Sequence, residues 1–141
     1  MKTQMTSHSK IIFDLECNGL NPDKIWCISA KELNGQTHTY GPEDIESGIA
    51  FLAKADTLIG HNIISFDIPI IKNLYGVDLI KEVSNIEDTL VMSRLFNPVR
   101  EGGHSLEKWG YKVGFLKKEK PLDWNVFNPK MIPYCIQDTK I

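Results

Sequence analysis

The chain is expected to fold as one α/β domain, a mixed five-stranded sheet flanked by helices. Three features of the sequence predict this. The stretch Ile11-Ile12-Phe13-Asp14-Leu15-Glu16 is an apolar run ending in two acids, as in a strand covered on both faces near the middle of a sheet. Asn34-Gly35 separates two strand-like segments and is a hairpin signal. Beyond Glu43, short strand patterns alternate with helical ones, which implies right-handed crossovers onto the same sheet. At 141 residues the chain is long enough for one core and too short for two.

Residues 1–9 are polar, lack an apolar signal region, and are expected to be a disordered lead-in to a domain spanning 10–141. The first strand ends in Asp14 and Glu16, two apart, so both carboxylates lie on one face and Leu15 on the other. Asn18 to Asp23 is dense in turn formers, Lys24 to Lys31 returns as a second strand, and Gln36 to Tyr40 is the third. These three are read as antiparallel, with the acid-bearing strand inside. Glu43 and Asp44 open a helix to about Ala55, its apolar face marked by Ile45, Ile49, Leu52 and Ala53.

Thr57 to Gly60 is a short buried strand that runs into His61 and Asn62. Ser65 is expected to cap a helix from Phe66 to Tyr75, with Pro69 tolerated in the first turn and Asp67 beside the preceding strand end. Asn85 to Glu87 is a fifth strand. Asp88 caps the helix Thr89 to Phe96, with Leu90, Val91 and Leu95 as its apolar stripe. A loop to Gly103 leads to a helix that starts at His104-Ser105-Leu106-Glu107 and ends near Gly110 or Gly114. Phe115 to Val126 has no period and carries Lys117, Lys118 and Lys120, read as a solvated loop that can also touch phosphates. Asn128-Pro129 opens the last helix, which runs to Asp138.

Composition sets bounds. A hydrophobic share of 42%, a charged share of 24% and a net charge of -2 suit a soluble globular domain rather than a passive nucleic-acid coat. Cys17, Cys27 and Cys135 are dispersed, odd in number and without zinc spacing, as in an intracellular protein with reduced thiols. No apolar run reaches the roughly 20 residues of a membrane span, so no membrane partner is expected and the expected location is the cytoplasm.

Asp14, Glu16, Asp67, Tyr134 and Asp138 stand out together. Two adjacent carboxylates repel, lose hydration and need a cation, and hard oxygen ligands suit Mg²⁺ or Mn²⁺. Tyr134 and Asp138 are four apart and share a helix face. Strand ends and helix first turns of a mixed sheet converge on one crevice. Carboxylates gathered there can hold two divalent metal ions, the arrangement used for in-line phosphodiester cleavage. For an isolated Asp-x-Glu, the competing reading is two solvated acids at a strand end.

The segments "FDLECNGL", "HNIISFD" and "YCIQD" resemble, in order, the three motifs of the DnaQ-like (DEDD) 3′→5′ exonucleases, in the branch whose third motif is Tyr-x-x-x-Asp. The likeness is greatest to the proofreading domain of family A replicative DNA polymerases of short-tailed phages, and extends to "DTLVMSRL" and "HSLEKWGYKVG". It implies a ribonuclease H-like fold, and a phage-encoded chain would be expected in the host cell cytoplasm. The resemblance assigns metal binding to Asp14, Glu16, Asp67 and Asp138, and orientation of the attacking water to Tyr134. It places Leu20 where an apolar residue wedges against terminal bases, the alternative being a turn residue that closes the core. His61 and Asn62 match a pair that lines the strand groove, or else they cap a strand end. Asp88 also matches a family position, although an N-cap needs no further chemistry, and His104 is left structural.

The implied substrate is a single-stranded or frayed DNA 3′ end, with a polymerase domain as partner in cis or in trans. An RNA-trimming exonuclease of the same group is the rival activity, since metal ligands do not separate DNA from RNA. A non-catalytic DNA-holding fragment of a phage DNA polymerase is the rival class. The chain departs from the family in its short segments before "HSLEKWGYKVG" and before the third motif, and in Pro133, expected to bend or delay the last helix. It stops three residues past Asp138, where the family helix continues, so a truncated polymerase fragment and a compact exonuclease are both expected possibilities.

Overall fold

Residues 9–120 and 123–141 are described in the computed structural model of the chain. The elements are β1 (Lys10–Cys17), β2 (Ile25–Glu32), β3 (Thr37–Tyr40), α1 (Ile45–Ala53), β4 (Thr57–Gly60), α2 (Ile68–Tyr75), α3 (Leu79–Glu82), β5 (Asn85–Asp88), α4 (Thr89–Phe96), α5 (Leu106–Val113) and α6 (Met131–Lys140). Of the expected lead-in only Ser9 lies within the described residues, and its carbonyl accepts the backbone N–H groups of Asp56 and Thr57, both at 3.0 Å.

The sheet order is β3-β2-β1-β4-β5, so the acid-bearing strand is central. β1 pairs antiparallel with β2 and parallel with β4, and β4 pairs parallel with β5. Phe13 lies opposite Ala30 and Leu15 opposite Ile28, and these four join α1 and α2 in the main core with Ile49, Leu52 and Ile71. The alternate residues pair Asp14 with Ser29 and Glu16 with Cys27. They face the opposite way, toward α6, where Cys27, Met131 and Cys135 form a second apolar cluster. A strict two-residue alternation thus separates a greasy face from an acidic one.

Three sequence expectations are corrected. Ser65 is exposed and caps nothing. The chain instead makes a wide π-type turn, Ile63–Asp67, before α2 begins at Ile68. Asn62 enters this turn with a left-handed φ of 61°, tolerable for Asn. Capping falls to Asp88, which is 4% exposed. Its Oδ1 accepts the N–H groups of Asn62 (2.9 Å), Leu90 (2.9 Å) and Val91 (3.4 Å), and its Oδ2 that of Ile64 (3.0 Å). One carboxylate therefore caps α4 and ties down the turn that carries Asp67. Gly60 gives the close approach needed there, because a Cβ would lie 2.4 Å from Ile63 Cγ2 and 2.9 Å from the Phe13 carbonyl oxygen.

The second correction concerns α4. Its expected apolar stripe is no core face, as Leu95 is 78% exposed and Val91 is also exposed. The buried residue is Ser93, whose hydroxyl accepts from Trp109 Nε1 at 2.8 Å and meets His104 Nδ1 at 2.7 Å. Polar bonding to α5 holds α4, which frees its apolar side. Ser105 caps α5, accepting from Lys108 N–H at 3.2 Å. Pro133 does not delay α6, which starts at Met131 with the Tyr134 N–H already bonded to the Lys130 carbonyl. At that depth proline removes only an N–H that lacks a partner anyway.

Asp88→Ala removes the acceptor of four backbone N–H groups at once. The unfolding free energy is expected to fall by about 2–4 kcal/mol, measured by urea denaturation, and an unchanged midpoint would exclude Asp88 as the tie of the Asp67 turn.

Candidate active site

Three elements bring the acids together. β1 supplies Asp14 and Glu16 from its α6-facing side, the π-type turn supplies Asp67, and α6 supplies Tyr134 and Asp138 one turn apart. All five line one cleft of about 1420 Å³. Glu16, Asp67, Tyr134 and Asp138 are buried and Asp14 is half-buried.

The electrostatics follow from that crowding. Burial, then repulsion from Asp67, Glu16 and Asp138, pushes the Asp14 carboxyl well above the usual carboxylate range. Burial and the Asp138 charge push Glu16 up to about 9. Burial likewise raises Asp67, which the Leu15 backbone amide partly offsets. Asp138 is raised by burial too, against the opposing pull of Lys117. Its Oδ2 meets Lys117 Nζ at 3.3 Å.

These residues fit a divalent cation. Asp67 Oδ2 and Asp138 Oδ1 are buried and, among the described residues, have no hydrogen-bond partner. Buried acceptors are seldom left so, and two of them on acids of one carboxylate cluster suit a hard cation. Ligand atoms of Asp14, Glu16 and Cys135 also lie within 4.8 Å of one another. The thiol is unsuited to such an ion. It is soft, burial pushes its pKa well up, and its S–H donates to the Asp14 carbonyl at 3.2 Å. Cys135 therefore packs α6 onto β1.

The remaining sequence candidates divide. His61 and Asn62 line the cleft. His61 Nδ1 bonds Thr89 Oγ1 at 2.9 Å, and burial lowers its pKa, favouring the neutral ring. Asn62 contributes through its backbone, as the start of the Asp67 turn. Leu20 is 93% exposed on the β1–β2 turn, outside the cleft lining, and so does not close the core. Lys117 corrects the solvated-loop reading, since it lines the cleft with its side chain only 19% exposed. Composition offered no sign of this, because Lys118 and Lys120 look the same in sequence and remain exposed.

No family model matches the chain. Among curated relatives, the DNA-directed DNA polymerases of Enterobacteria phage T3 and Escherichia phage T7 are each 26% identical over 176 aligned positions, covering 93% of the chain and 25% of the polymerase. Similar solved structures include Brucella melitensis NrnC with bound Mg²⁺ (TM-score 0.70, 18% identity, covering 96% of this chain and 68% of that one). Escherichia coli Exonuclease I in complex with an oligonucleotide matches at TM-score 0.60 and 12% identity, covering 94% and 39%. A family B DNA polymerase from Pyrobaculum calidifontis matches at 0.66 and 15%, covering 94% and 23%. In fold the chain is similar to the DnaQ-like exonucleases. The sheet is accordingly the ribonuclease H-like one.

The chain spans about a quarter of the length of the phage polymerases it matches. The 176 aligned positions exceed its 141 residues, so the polymerases carry segments that this chain lacks. Among the described residues no helix is long and apolar enough to cross a membrane.

Without divalent cations, the folded protein holds protons on these acids that the unfolded chain has released. For Glu16 that contribution to stability is complete below its ordinary value of 4.5 and is lost as pH rises toward about 9. The melting temperature of EDTA-treated protein is expected to fall across that window, Glu16→Gln to flatten the fall, and added Mn²⁺ to reverse it. A melting temperature that stays level or climbs there contradicts the cluster's electrostatics.

Proposed function

We propose that the chain is a metal-dependent 3′→5′ exonuclease that removes nucleotides from single-stranded or frayed DNA ends, as a proofreading unit does. The observation that carries this is the convergence of four carboxylates from three elements in an open cleft, two with buried oxygens that lack a partner among the described residues. Such a cluster is costly to assemble, and a core would be better served by apolar residues. Relatives that are DNA polymerases favour DNA over RNA, and a polymerase domain in cis or in trans is the proposed partner. All five motif residues are intact, which speaks against a purely DNA-holding module.

Asp14, Glu16, Asp67 and Asp138 would hold two divalent ions, Mg²⁺ or Mn²⁺. Bound there, the ions would supply Lewis-acid stabilisation of the phosphoryl group and activation of water. The chain's own groups do the rest. Tyr134, on the α6 face shared with Asp138, directs its hydroxyl at the attacking water. His61 and Asn62 form the wall along which the strand lies. Leu20, exposed on the turn that leaves β1, is free to rest against a terminal base.

The test uses 5′-labelled DNA and RNA oligonucleotides with Mg²⁺ or Mn²⁺. A descending ladder on DNA is expected, lost in Asp138→Ala and slowed roughly 10²–10⁴-fold in Tyr134→Phe, the range of a positioned proton-handling group. Internal cuts, or no cleavage of either polymer, would refute the reading. An undiminished rate in Tyr134→Phe would leave the metal site standing and remove the tyrosine from the mechanism.

A further inference from the structure

Lys117 has a place that its neighbours do not share. It sits in the connection between α5 and α6, where Phe115, Leu116, Lys118, Glu119 and Lys120 are all exposed. Its own side chain turns inward, 19% exposed. Burying an ammonium is costly unless charge compensates it. Here Nζ lies 3.3 Å from Asp138 Oδ2 and 5.0 Å from the centroid of the Tyr134 ring, and its charge also acts on the phenol oxygen. The backbone is pinned at the same point, since Gln137 Nε2 donates to the Leu116 carbonyl at 2.7 Å. Residues 116 and 117 are thus fastened to α6 at successive positions.

The two oxygens of Asp138 are divided by this contact. Oδ2 takes the lysine, while Oδ1 is buried without a partner among the described residues. A carboxylate on a helix can rotate about its last bond. An ammonium fixed to one oxygen removes that freedom and leaves the other presented to the acid cluster. The same ammonium, held against the Tyr134 ring, fixes the phenol relative to the carboxylate one turn away.

The geometry points to Lys117 as a positioning residue, which holds the Asp138 carboxylate and the Tyr134 phenol in one fixed arrangement at the water side of the site. It acts through those two groups rather than on the scissile phosphate. This assignment rests on the hydrolytic reading for its consequence, and on the contacts alone for its geometry. The simpler alternatives are a tether for the loop and a phosphate contact, and each makes a different prediction.

The test combines kinetics with a structure. Lys117→Met keeps the stem and removes the charge. It should lower kcat by about 10–100-fold, the cost of a displacement near 1 Å, while KM for the oligonucleotide changes less than about threefold. Lys117→Arg should recover most of the loss. In a Tyr134→Phe background the same Lys117→Met change should cost well under its full factor, because groups acting as a unit are not additive. A loss confined to KM with a steep salt dependence marks a phosphate contact and overturns the proposal. A full loss in the Tyr134→Phe background, or no loss in kcat, overturns it too.

The crystal structure of Lys117→Met is the second readout and needs no activity. The Tyr134 and Asp138 side chains are expected to shift by about 1 Å or to occupy two rotamers. Side chains that keep their places would overturn the proposal by themselves. A wild-type protein inert on DNA and RNA refutes the exonuclease reading, and the structure then decides Lys117 alone.

Discussion

Four carboxylates held together in one cleft, with one lysine in direct contact with them, are the constraint on which the molecule turns. Asp14, Glu16, Asp67 and Asp138 each have a raised pKa with burial as the largest cause. Lys117 meets only one of them directly. Such an arrangement is stabilised by a cation, or by protons taken up in its absence. The scaffold has to hold these groups together against their own repulsion, and its peculiarities lie where it does so.

β1 is central; its pairing with β4 ends at Ile12, but its pairing with β2 continues through Asp14 and Glu16 and fixes both. Asp67 is harder to place, because it follows a strand and precedes a helix across a turn that a regular α-helix would not make. The π-type turn solves this, with Asp88 as its anchor and Gly60 as the point of closest approach. α6 is seated from below by Met131 and Cys135 against Cys27, and at its side by the Trp26 indole, whose Nε1 donates to the Trp124 carbonyl at 2.8 Å. Trp124 in turn meets Tyr134 edge-on, with ring centroids 6.0 Å apart. The ring of Tyr134 is thus fixed by packing.

Much of this was legible in the residues. The alternation of Ile11 to Glu16 placed both acids on one face, Asn34-Gly35 marked the hairpin, and the four-residue spacing of Tyr134 and Asp138 put them together on α6. What escaped was tertiary. Ser65 looks like an N-cap because its type favours caps, yet the capping oxygens came from Asp88, distant in sequence. The α4 stripe has helical period, but period reports an apolar face and not what covers it. Leu90 and Leu95 turn to the cleft instead of the core. Lys117 could not be told from Lys118 and Lys120, since only the fold selects which of three lysines turns inward.

The central claim, that the cluster is built for divalent cations, is tested most directly by anomalous diffraction from a crystal grown with Mn²⁺. Two manganese peaks are expected, each about 2.1 Å from its carboxylate oxygens, shared among Asp14, Glu16, Asp67 and Asp138, with Asp67 Oδ2 and Asp138 Oδ1 among the ligands. Crystals saturated with Mn²⁺ that show no peak in the cleft, or a peak held by Cys135 with the aspartates turned away, would contradict it.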